Sequence, residues 1–108
     1  MRILLDQGTP VPLRQFLKDH AVQTAAQQGW DRLSNGDLLA AADAAGFDLF
    51  LTTDKNLLYQ QNLTGRKIAI VVIGNAQWPV LQLNVQAVVD AVNAAKPGSY
   101  DVVDIPME

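Results

Sequence analysis

The chain has 108 residues, 49% of them hydrophobic and 18% charged, with a formal net charge of −3 and no cysteine. Such a length and apolar content describe one folded domain with a single core and exclude a disordered tail. The lack of cysteine excludes disulfides and thiolate metal sites, and the acidic balance counts against a protein that coats nucleic acid by phosphate neutralisation alone.

Arg2 to Leu5 is a short apolar run, most simply a buried parallel strand. Gln7-Gly8-Thr9-Pro10 is a turn. A helix beginning at Thr9 or Pro12 then runs through Leu13, Phe16 and Leu17, with proline tolerated in its first turn. Ala21 to Thr24 reads as a second short strand, and Ala25 to Trp30 as a helical turn stopped by Gly29. The clearest helix runs from Asn35 to Ala45, with Leu38, Leu39, Ala42 and Ala45 as its apolar stripe and Gly46 as its stop. Asp48 to Thr52 is a buried strand, followed by a short helix from Lys55 to Gln61 that turns Leu57 and Leu58 inward. Lys67 to Ile73 is continuously apolar and β-branched, which predicts a central strand buried on both faces. Pro79 starts a long helix through Val85, Val88, Val89 and Val92, ended by Lys96-Pro97-Gly98. Tyr100 to Ile105 is a last strand, expected at an edge.

Alternating strands and helices predict an α/β fold in which a mostly parallel sheet of about five strands carries helices on both faces. There is no internal repeat or linker, so residues 1–108 form a single domain. Met1-Arg2-Ile3-Leu4-Leu5-Asp6 is too short and too soon charged for a signal peptide, and no apolar run reaches the roughly 20 residues that span a bilayer. A cytoplasmic protein with no membrane association is expected.

The residues able to carry chemistry lie where strands end or helices begin. Asp6 follows the first strand, Asp37 sits in Ser34-Asn35-Gly36-Asp37, and Asp54 and Asn56 follow the third strand. Strand ends of a parallel sheet converge on one edge, where sites form. Carboxylates gathered there repel one another unless a cation neutralises them, and oxygen donors suit Mg²⁺ or Mn²⁺. Each also has a purely structural reading: Asp6 as an Asx-turn, Asp37 in a capping box with Ser34, and Asp54 as the N-cap of the next helix. Asp43 projects from a different face of the same helix as Asp37 and is a weaker candidate. Arg14 and Lys55 are weak candidates for phosphate contact. His20, the only histidine, stands at a helix end, and Trp30 and Trp78 read as core or interface. Asn62-Leu63-Thr64 matches a glycosylation acceptor without meaning in a cytoplasmic chain.

Phosphate loops of the GxxxxGK[ST] kind and GxSxG elbows are missing, and a lone histidine without cysteines builds no typical zinc site. Gly8 stands where a haloacid-dehalogenase-like phosphatase would have its second aspartate.

Taken together, Ile3-Leu4-Leu5-Asp6 with Pro10, Gly29-Trp30, Leu33-Ser34-Asn35-Gly36-Asp37-Leu38-Leu39, Ala42, Gly46 and Leu51-Thr52-Thr53-Asp54-Lys55-Asn56-Leu57 resemble the PIN-like domains. Within these, they resemble a small bacterial family associated with toxin–antitoxin-like pairs. The likeness covers roughly residues 1–75 and rests on the order of several short motifs. It implies a three-layer α/β/α sandwich and a Mg²⁺- or Mn²⁺-dependent endoribonuclease. Asp6, Asp37 and Asp54 would be catalytic and, with Asn56, metal-holding. RNA as substrate, a cognate antitoxin as partner and a homodimer follow from the same analogy. Asn56 falls where many such domains carry another acid, and their helix carboxylate is commonly a Glu set deeper than Asp37. A PIN-like module that binds protein or RNA without cleaving is the alternative.

Overall fold

The computed structural model describes residues 1–57 and 65–105. Five strands form one sheet: β1 (Arg2–Leu5), β2 (Ala21–Thr24), β3 (Leu49–Thr52), β4 (Ala69–Ile73) and β5 (Tyr100–Val103). All pairings are parallel and the order is β2-β1-β3-β4-β5. Among the described residues three helices accompany them, α1 (Asn35–Ala44), α2 (Trp78–Leu81) and α3 (Val85–Ala94), with 3₁₀ turns over Val11–Phe16 and Gln82–Asn84.

Period-two alternation divides the interior into two cores. Ile3, Leu5, Leu49, Leu51, Val71 and Ile73 face one way, against Leu13, Leu17, Leu81, Val88 and Val92. Leu4, Phe50, Ile70 and Val72 face the other, against Leu38, Leu39 and Ala42 of α1 and against Leu57. Both faces of the sheet are therefore covered, giving the expected three-layer sandwich.

Several elements differ from the sequence expectation. The first helix is a 3₁₀ segment over Val11–Phe16 that buries Leu13 and leaves Phe16 45% exposed. Pro10 and Pro12 bring no N–H to its first turn, and it closes quickly through Leu17 N–H to Arg14 O at 3.2 Å. The long helix predicted from Pro79 is interrupted by the 3₁₀ turn at Gln82–Asn84, where the Asn84 side-chain amide donates to Val80 O at 3.0 Å. β4 is buried throughout but lies fourth of five, and β3 holds the middle. The helical turn after β2 and the end of α1 close alike. Trp30 N–H reaches Ala25 O and Phe47 N–H reaches Ala42 O, around Gly29 (φ +76°) and Gly46 (φ +84°). The predicted Lys55–Gln61 helix and the Asn62-Leu63-Thr64 motif fall largely outside the described residues.

The connections have an uneven hand. The β1→β2 link steps toward one edge and the β4→β5 link toward the other, yet Leu13 and Val88 bury in the same core. The β2→β3 link crosses the opposite face through α1, and Leu57 and Ile68 of the β3→β4 link bury on that face too. The β4→β5 crossover therefore opposes the β1→β2 and β2→β3 crossovers in hand, in a connection that is right-handed about 98% of the time.

Candidate functional site

The order β2-β1-β3 makes the C-terminal ends of β1 and β3 a switch point, because chains leaving them turn to opposite faces. Asp6 leaves β1 there and is only 4% exposed. A buried carboxylate needs hydrogen-bond donors, and here two buried threonines supply them. Thr9 Oγ1 donates to Asp6 Oδ1, and Thr52 Oγ1 donates to Asp6 Oδ2. Thr9 Oγ1 also lies 3.2 Å from Leu51 O, and Asp6 N–H donates to that carbonyl at 3.1 Å. The β1 and β3 ends are thus joined through side chains as well as through the ladder.

The line continues outward. Asp54 N–H donates to Thr52 Oγ1 at 3.0 Å, so one hydroxyl accepts from Asp54 and donates to Asp6. Asp54 is half-buried; its Oδ2 accepts from Asn35 Nδ2 at 3.0 Å and its Oδ1 from Asn56 N–H at 2.9 Å. Asn35 is the first residue of α1, which ties that helix to the switch point. Gly8 lies beside this network, because a Cβ at that position would sit 3.9 Å from Asp6 Oδ1 and 2.9 Å from Thr53 Oγ1.

Asp37 stands in the first turn of α1 and is exposed. Its backbone N–H donates to Ser34 Oγ at 3.3 Å, which is the capping geometry that Ser34-x-x-Asp37 suggests. Asn56 is engaged with Asp54 through its backbone, and Lys55 is exposed. Arg14 is half-buried and donates to Val22 O at 3.3 Å, so it braces β2. The structure therefore joins Asp6 and Asp54 through Thr52 and sets Asn56 beside Asp54. It shows no bond from the Asp37 carboxylate to that line.

A cleft of about 230 Å³ opens beside the network, lined by Asp6, Gln7, Thr9, Thr24 and Asp31 among others. Gln7 Nε2 donates to Asp31 O across it. Thr9, Thr52, Asn35 and Asp31 were not among the residues singled out by sequence. The available signal was hydroxyls and amides flanking each candidate acid at the strand and helix ends.

The donor chemistry, all carboxylate, amide and hydroxyl oxygen, suits a hard cation such as Mg²⁺ or Mn²⁺. Among the described residues, however, no three His, Cys, Asp or Glu side chains converge on a metal position. Also among the described residues, no helix is long and apolar enough to cross a membrane. Comparison of the chain with protein-family models, curated proteins and solved structures finds no match in any of the three.

Proposed function

We propose that this is a PIN-like, divalent-metal-dependent endoribonuclease, acting as the toxin of a toxin–antitoxin pair. The observation that supports it is the hydrogen-bonded line Asp54–Thr52–Asp6 at the switch point, beside the first turn of α1. Asp6 and Asp54 would hold Mg²⁺ or Mn²⁺, with Asp37 and Asn56 completing its shell directly or through water. A cation bound there supplies an acidified water and neutralises charge on the phosphate. Thr9 and Thr52 fix the Asp6 carboxylate, and exposed Lys55 would meet the RNA backbone. A cognate antitoxin, a homodimer and a cytoplasmic setting belong to the same reading.

A second reading, a PIN-like module that binds protein or RNA without cleavage, has its own observation. The oxygens of both Asp6 and Asp54 already accept hydrogen bonds from protein groups. A Mn²⁺ titration by calorimetry or EPR separates the two, comparing wild type with Asp54→Asn and with Asp6→Ala/Asp54→Ala. The nuclease reading expects saturable binding that is weakened at least tenfold by Asp54→Asn and abolished in the double variant. Wild type that takes up no Mn²⁺ at millimolar concentration, or variants that bind as well as wild type, would leave the binding module.

A further inference from the structure

A cavity lies at the other end of the sheet, where β3 and β4 begin and α1 and α3 end. It measures about 490 Å³, within the roughly 300–1,000 Å³ typical of small-molecule sites. Its apolar surface includes Phe47, 3% exposed, and Ala69, 2% exposed. Phe47 is held in place by the Arg2 guanidinium 4.3 Å above its ring and by Trp30 edge-on at 6.1 Å.

Charges of both signs border this apolar surface. Asp43 Oδ1 accepts from Ile68 N–H at 3.2 Å, and Asp48 Oδ2 accepts from Arg2 N–H at 2.8 Å. Each carboxylate is thereby fixed by the backbone through one oxygen. Lys67 and Lys96 also line the cavity and are exposed, and no hydrogen bond or ion pair holds either ammonium among the described residues. Lys96 follows α3, past its last turn, and Lys67 precedes β4. A purely anionic ligand would meet the two carboxylates, and a purely cationic one the two ammoniums. Like-charge contacts of that kind select against both.

We propose that this cavity binds a small zwitterion with an apolar body, namely a free α-amino acid with an aromatic or branched side chain. Its ammonium faces Asp43 and Asp48, its carboxylate faces Lys67 and Lys96, and its side chain lies on Phe47 and Ala69. This site is separate from the Asp6 network and does not depend on the nuclease reading.

The test is a heteronuclear NMR titration of the full chain with L-phenylalanine and L-leucine. N-acetyl-L-phenylalanine, which lacks the ammonium, and L-phenylalaninamide, which lacks the carboxylate, serve as controls. The expected result is saturable shifts at Gly46, Phe47 and Ala69 with a dissociation constant of about 1 mM or tighter. Both derivatives and the Lys67→Met/Lys96→Met variant should bind about tenfold more weakly or worse. The exposed lysines can be replaced without disturbing the core, and the derivatives probe the acidic pair without mutating it. No saturable shift for either amino acid up to about 20 mM overturns the proposal. So does binding of either derivative as tight as that of L-phenylalanine, or a shift pattern centred elsewhere.

Discussion

The two ends of the sheet treat their polar groups in opposite ways. At the C-terminal end, Asp6, Thr9 and Thr52 are at most 4% exposed, and they satisfy one another through hydroxyl–carboxylate bonds. At the N-terminal end, Asp48, Lys67 and Lys96 are exposed, and the two carboxylates there lean on backbone N–H groups. A buried network has no water to fall back on, so its members are interdependent and their geometry is unique. Exposed charges can turn to water or to a ligand at little cost. The C-terminal end is built for rigidity, and the N-terminal end keeps capacity for something that arrives.

That contrast can be broken at either end. Thr52→Val carries the largest expected effect, because one change strips Asp6 Oδ2 of its donor and Asp54 N–H of its acceptor. A loss of about 2–3 kcal/mol in urea unfolding is expected, with Thr52→Ser recovering most of it. A loss below about 0.5 kcal/mol would mean that water replaces the hydroxyl and that this end is not sealed. Gly46→Ala is the intermediate case. A Cβ there meets only the Arg2 guanidinium at 3.6 Å, so the expected cost of about 1–2 kcal/mol comes from the φ of +84° alone. Finding much more would reveal crowding at the N-terminal end. The smallest effect belongs to Lys67→Met/Lys96→Met, which should leave the urea midpoint unchanged. A clear drop would show the lysines already engaged in holding the fold.

The strands were legible because burial on both faces leaves no polar positions to confuse the pattern: Leu49–Thr52 and Ala69–Ile73 are buried from end to end. The extent of α1 was legible from its two punctuation marks, Ser34 and Gly46. The 3₁₀ form of Val11–Phe16 was not, since i, i+3 spacing serves both helix types and the choice depends on how fast the chain must return to β2. The break before α3 was hidden for a related reason, as Gln82-Leu83-Asn84 has no proline or glycine to mark it. Asp6 and Asp54 were found because acids at strand ends are conspicuous. The hydroxyls that hold Asp6 were missed because a threonine at a strand end looks like ordinary β propensity until its partner across the sheet is known.

The crossover of opposite hand has a consequence for how the protein is made. Because β4→β5 returns over the face already entered by the first link, Val88 and Val92 cover strands laid down long before them. A nascent chain that has passed Gly74 holds the apolar inner sides of β3 and β4 with much of their cover still inside the ribosome. The opposite face already has α1 in hand. Synthesis therefore leaves one side of the sheet waiting for the last quarter of the chain, joined at the end by His20 Nε2 to Asn93 Oδ1 at 2.9 Å. Chains truncated at Gly74 and carried clear of the exit tunnel on a C-terminal linker should recruit a hydrophobic-surface chaperone, whereas chains truncated at Ala95 on the same linker should not. Equal recruitment at both lengths would mean that this face is shielded in some other way.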